Sequence, residues 1–362
     1  MKAGNCPDMT RWLPGLGLWL GWAATGGLAC GGDPDSVSTL AKAKEIQFRP
    51  VPSGTEEQPY GFVDLEGKEV IAARFQHAYP FHQQLARVAV AGKWGFIDAG
   101  GDWKIPAGFD WAGDFSQGLA CAQQSRGGRP WFGYLDRDGD WRIQPKFAQA
   151  LPFTEGLAAV AVGSGPDRRW GYVDFMGIFA VKLQFQQARS FSEGLAAVAW
   201  EEALFGYIDR RGQIAIPARF QQAGPFQESR AAVNFNGRWG IIDETGAWRV
   251  EAKFEFAGPY HNGLATLKTP SGMGAVNLLG QWQIEPQYRV LKDFSEGLAA
   301  FADPSGKFGF LNRQGKVVIA PQFLKAEAFH AGVALVEIPD GNRSVPALIN
   351  AKGEILWRRG SS

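Results

Sequence analysis

The sequence predicts an all-β fold: tandem three-stranded antiparallel repeat units forming a curved β-solenoid or propeller-like array. Three observations carry that expectation. A three-part phrase recurs nine times along 362 residues, clearest at Trp94-Gly-Phe-Ile-Asp98, Trp170-Gly-Tyr-Val-Asp174 and Trp239-Gly-Ile-Ile-Asp243. Self-similarity at a period of a few dozen residues marks an array of small units. Within each copy apolar and polar residues alternate, which is the period of a half-buried strand. Glycine-containing turns then divide each copy into hairpins.

The chain begins with Lys2 and Arg11, continues with an apolar stretch from Trp12 to Ala29, and reaches Cys30. This is the layout of an export signal over residues 1–30, with Met9 as an alternative start. Pro14 and five glycines interrupt the stretch, which argues against a transmembrane helix. Gly27-Leu28-Ala29-Cys30 resembles a bacterial lipoprotein lipobox, with Gly27 where that motif carries leucine. The resemblance implies lipidation of Cys30 and a membrane-anchored protein of the cell envelope, periplasmic or surface-exposed. Two alternatives stay open: signal-peptidase cleavage after Ala29 to release a soluble secreted protein, and an uncleaved anchor. Residues 31–44 are small and polar, a flexible tether. The repeat domain then spans 45–357 in about nine units, and 358–362 form a short tail.

Each unit holds three apolar runs. The first resembles Leu157-Ala-Ala-Val160. The second is the aromatic-Gly-aromatic-β-branched-Asp phrase. The third opens after another glycine and is the most regular, as in Gly139-Asp-Trp-Arg-Ile-Gln-Pro-Lys-Phe147. Four residues past that glycine stand Ile105, Ile143 and Ile216; eight past it stand Phe109, Phe147 and Phe220. Proline at Pro106, Pro145 and Pro217 would break a central ladder, so this run ends a sheet or lies at its edge. Between second and third runs, Asp98, Asp136, Asp174, Asp209 and Asp243 each begin an Asp-x-x-Gly turn. Asp accepts a backbone N–H there and Gly takes positive φ, so these aspartates are structural. A unit of about 30 residues cannot bury enough surface to stand alone, so stacking on neighbours must complete its core.

Read together, [Trp/Phe]-Gly-[Phe/Tyr]-[Ile/Val]-Asp, Gly-x-x-x-Ile-x-Pro-x-Phe and Phe-x-Glu-Gly-Leu-Ala-x-Val resemble the WG repeat family over about residues 46–357. The resemblance implies a bacterial all-β repeat module, often exported and supposed to bind, and it supplies no catalytic residues. Met273 in place of the aromatic and Arg230 in place of Leu depart from the pattern.

Acids and bases nearly cancel, 36 against 37, so a nucleic-acid binder is not expected. Only Cys121 lies in the body of the chain, in a slot that Ala159, Ala197 and Ala232 fill elsewhere; a small buried thiol is expected. His82, His261 and His330 share one position after the linker aromatic and read as turn polar groups, with a His82–His330 metal site as the sharper alternative if the array closes. No phosphate loop, zinc motif or nucleophile elbow occurs, so no catalytic residue, metal or cofactor is expected. Trp103, Trp141, Trp248 and Trp282 share one offset and read as core, with a sugar- or peptide-stacking ladder as the alternative. Three turns break the repeat: Ser125-Arg-Gly-Gly-Arg-Pro130 and Gly163-Ser-Gly-Pro-Asp-Arg-Arg169 lengthen the same connection in adjacent units, and Pro339-Asp-Gly-Asn-Arg343 lies on the corresponding turn near the C-terminus. Arg126, Arg129, Arg168 and Arg169 are therefore the candidate binding patch, suited to carboxylate or phosphate.

The functional expectation is a non-enzymatic, envelope-associated binding or scaffold protein that engages a protein or polysaccharide partner. The alternatives are an envelope glycan hydrolase or lyase and a passive spacer. Oligomeric state is not readable from the sequence.

Overall fold

The computed structural model describes residues 47–360, apart from 54–56, 58, 201–203 and 342. The export signal, Cys30 and the 31–44 tether lie outside the described residues. Within Lys44–Ser362, one compact unit, the strands form nine separate antiparallel sheets. We call them blades 1 to 9. Blade 1 has three strands, Arg49–Val51, Tyr60–Val63 and Glu69–Phe75, among the described residues; the other eight have four each. Blades 2 to 9 begin at His77, Trp111, Gln149, Gln187, Gln222, Phe256, Val290 and Lys325.

Blade 4 shows the plan. Strands a to d are Gln149–Ala150, Ala158–Val162, Arg169–Val173 and Phe179–Phe185, paired in that order. The three expected strands are b, c and d. The expected linker supplies a fourth, so three-stranded units are corrected to four-stranded blades. A strand of two residues carries no periodicity, and the prolines that often follow it disguise it as a loop. Strand d sits at a sheet edge, as its prolines require.

The array is a closed nine-bladed propeller, not an open solenoid. Val51 and Val63 of blade 1 pack with Val333 and Leu348 of blade 9. The closing contact also repeats the contact between consecutive blades. A Cβ on Gly139 would sit 3.0 Å from Ile105 of the preceding blade, and one on Gly353 would sit 3.0 Å from Ile319. At the seam a Cβ on Gly67 would meet blade 9, closest to the Leu356 carbonyl and 3.0 Å from Trp357 Cβ; Trp357 stands four residues past Gly353, where the other blades place Ile or Val. Among the described residues no strand pairs blade 1 with blade 9; closure is face to face.

The core lies between blades. Tyr134, Ile143 and Phe147 of blade 3 bury themselves against Phe153, Val160 and Val173 of blade 4. Each buried side chain of that size contributes about 1.5–3 kcal/mol relative to exposure. The glycine of the Trp-Gly phrase has a separate cause. Strands c and d shift register twice beside it, bringing strand d so close that a Cβ on Gly133 would lie 2.5 Å from the Ile143 carbonyl oxygen. Blade 9 carries Ala347 in this slot, and there the c–d pairing shifts only once.

Candidate functional site

Alternating strand direction sorts the connections onto two rims. The a–b and c–d turns form one, here the turn rim. The b–c loops and the links from strand d to the next strand a form the other, the loop rim.

On the turn rim, every described a–b connection is a two-residue hairpin with positive φ at both central positions, such as Glu155 at 52° and Gly156 at 82°, the geometry of a type I′ turn. The residue preceding the glycine reaches the next blade. Gln117 Oε1 accepts from Gly156 N at 2.8 Å, both Glu155 oxygens accept from Gly194 N, and Glu193 accepts from Glu228 N and Ser229 N at 2.8 Å each. Glu296 does the same for Ala331 N and Gly332 N. This clasp was missed as a function of the Phe-x-Glu-Gly-Leu phrase, although the phrase contains it. The c–d turns hold Asp98, Asp136, Asp174, Asp209 and Asp243, and each Oδ1 accepts two backbone N–H groups of its own turn. Asp243 also accepts from the Thr245 hydroxyl and pairs with Arg249 at 2.8 Å. The Thr245 bond is the main reason its carboxyl is held below the ordinary range.

The loop rim carries the expected arginine patch. Arg126 and Arg129 pair across the b–c turn of blade 3 and are exposed. In blade 4 the loop makes a short 3₁₀ turn at Gly165–Asp167, and Arg168 and Arg169 are half-buried beside it. Arg169 folds back to donate to the Pro166 and Arg168 carbonyls. The two pairs thus occupy corresponding loops of consecutive blades, with the blade 4 pair partly spent on its own loop.

Arg49, Arg87, Asp114, Thr266 and Asp293, which sequence reasoning did not single out, gather near the strand a segments beside the histidines that it did. Arg87 of blade 2 is buried, pairs with Asp114 of blade 3 at 2.7 Å, donates to the Ala112 carbonyl and lies 3.5 Å from the Tyr79 ring centroid. His82 stands 3.8 Å from the same Asp114. Blades 7 and 8 repeat the arrangement with Thr266 donating to Asp293 at 2.7 Å. Burial raises the Asp293 carboxyl above its usual range, against the Thr266 bond and the nearby His261. At the seam, Arg49 of blade 1 donates to the His330 carbonyl of blade 9. Burial lowers the Arg49 guanidinium to about 10, against the pull of Glu296 and Glu327. Burial, Arg49 and His82 together lower the His330 imidazole to about 3. Among the described residues no three His, Cys, Asp or Glu side chains are placed to hold a metal ion.

Cys121 is buried, its Sγ is 3.6 Å from the Ala150 carbonyl, and burial pushes the thiol far up. The strand d tryptophans make T-shaped contacts with the preceding blade: Trp103 with Phe75, Trp141 with Phe109, Trp248 with Phe220 and Trp282 with Phe254, at 5.6–6.2 Å. They pack one blade against the next, though Trp103 stays 41 % exposed.

A profile of the family described as WG containing repeat matches residues 60–94, 94–125, 132–164, 170–199, 205–239, 239–269, 273–302 and 308–341. Most matches run from strand c of one blade to strand b of the next. No curated protein matches the sequence. Among solved structures, BamB from Moraxella catarrhalis is similar at 14% identity, covering 81% of this chain and 96% of its own, with a TM-score of 0.43. Apo AztD from Citrobacter koseri is similar at 12% identity, covering 86% and 93%, with a TM-score of 0.41. Hsv2 from Kluyveromyces lactis is similar at 10% identity, covering 54% and 71%, with a TM-score of 0.34. At these scores the likeness carries no argument about function.

Proposed function

Because the chain belongs to the family of WG containing repeats, with matches spread over residues 60–341, we propose that it is a non-enzymatic scaffold binding a protein or glycan partner. The observation that carries this reading is how the repeat spends its side chains. The turn aspartates cap their own turns, the Glu and Gln clasps hold the next blade, and the tryptophans pack between blades. The b–c loops differ between blades: adjacent blades 3 and 4 carry lengthened, arginine-bearing ones, and blade 9 carries another that ends at Arg343. Insertions of this kind mark binding faces in repeat proteins, and guanidinium groups suit carboxylate or phosphate on a partner. Export through the 1–30 signal, with an acylated Cys30, would place this scaffold at the cell envelope.

The test is a pull-down from envelope extracts with the wild-type chain and an Arg126→Ala/Arg129→Ala/Arg168→Ala/Arg169→Ala variant. We expect the variant to lose the recovered partner while keeping the wild-type melting temperature. Equal recovery would remove the arginine loops as the contact.

A further inference from the structure

Beyond that reading, we propose that the turn rim docks on the surface of an anionic lipid bilayer through two apolar turn tips. Elsewhere the two residues after the turn Asp or Asn are mostly polar, as at Arg137-Asp138, Arg210-Arg211, Glu244-Thr245 and Arg313-Gln314. Blade 4 has Phe175 and Met176 there, 38% and 63% exposed, followed by Ile178 at 64%. Blade 7 has Leu278 and Leu279, 38% and 76% exposed. Both tips are rigid. Asp174 Oδ1 accepts from Met176 N and Ile178 N at 2.9 and 3.0 Å, Asn277 Oδ1 accepts from Leu279 N at 3.0 Å, and Phe175 stacks on Phe153 at 4.7 Å. Adjoining large apolar groups held out on a rigid turn mark an interaction site, unlike a lone exposed leucine.

The flanking charge says what covers them. Arg142 donates to Met176 Sδ at 3.1 Å. A Cβ on Gly156 would meet Arg210 Nη2 at 3.5 Å and the Phe175 ring at 3.9 Å, so this arginine and the apolar tip adjoin. In blade 8, Arg313 approaches the equivalent Gly263 to within 2.8 Å of such a Cβ. The blade 4 tip therefore has an arginine of the following blade beside it, and blade 8 sends its corresponding arginine to the a–b turn of blade 7. The nearby acid Asp138 is engaged by Lys104 at 3.0 Å. An apolar tip flanked by cations matches the layered chemistry of a bilayer with anionic headgroups. The two tips are the same turn in blades three apart, on one rim of one ring. A flat, extended surface receives both at once.

The full-length chain with Cys6→Ser and Cys30→Ser tests this without acylation. Met176→Cys in that background takes a nitrobenzoxadiazole label, while buried Cys121 stays unlabelled. Vesicles of phosphatidylglycerol and phosphatidylcholine should shift the label to the blue, and vesicles of phosphatidylcholine alone should not. The same label at Arg238→Cys, on the loop rim, should not shift. Adding Arg142→Gln, Arg210→Gln and Arg211→Gln should weaken partition at least about tenfold. An unlabelled Ile178→Ser/Leu279→Ser variant should bind the anionic vesicles correspondingly less. Equal shifts at both labels, no shift at residue 176, or a shift that follows protein concentration without vesicles, as for a second copy, would each overturn the proposal.

Discussion

A single hydrogen atom decides the Trp-Gly position. With a methyl group in its place, Gly133→Ala would press a Cβ to 2.5 Å from the Ile143 carbonyl. Strand d must then move, and we expect a loss of about 2–4 kcal/mol in urea denaturation. Ala347→Gly in blade 9, where the pairing already admits a Cβ, should change stability by no more than about 1 kcal/mol. The clasp residues give a second measure. Glu193→Ala leaves two N–H groups of blade 6 without their acceptor and should cost about 1–2 kcal/mol. An unchanged urea midpoint would mean that water replaces the carboxylate at no loss. At this scale the turn aspartates were legible, because an Asx turn is closed within five residues. The clasp was not: the sequence shows Glu beside Gly, but its partner is a turn 35 residues away.

At the scale of the element, the blade explains which strands could be read. Strand d alternates over seven residues in blades 2 to 8, and its outward side chains are exposed, so periodicity reports it. Strand a has only two residues in most blades and is defined by the return of the chain, not by pattern. Its real signature is the aromatic three residues beyond it. Phe153 is fully buried at 0% exposure, meets Tyr134 of blade 3 edge-on and stacks on Phe175. Phe153→Ala should cost about 3–5 kcal/mol by calorimetry, more than truncating the half-exposed Trp141. A loss no larger than that of Trp141→Ala would refute the assignment of strand a as the anchor of each blade.

For the whole molecule, the seam is where pH should act. His330 is held near 3, below the 6.5 of a free imidazole, so the unfolded chain takes up this proton first. The stabilisation it represents is complete above about pH 6.5 and drains away as pH falls toward 3. Asp293 and Glu327 are shifted upward and act in the opposite sense, their contribution fading as pH rises through their folded values. We therefore expect His330→Gln to flatten the fall of melting temperature between pH 6.5 and 4. A parallel curve would show that the seam histidine titrates normally. Closure itself was open in the sequence, since a ring and a solenoid share their local contacts; what distinguishes them are the seam contacts of blade 1 with blade 9, Val51 and Val63 on Val333 and Leu348, and Gly67 against Trp357. The polar contacts between blades also have a sense of travel. Side chains of one blade mostly grip the backbone of the blade that follows: Ser116 to Phe153, Tyr134 to Leu151, Glu155 to Gly194, Lys292 to Ala326. At the seam that sense reverses, since Ala331 has nothing to offer and Arg49 reaches back instead. A ribosome delivering this chain would thus present each newcomer with hands already extended, and would leave the final handshake to the oldest member of the circle.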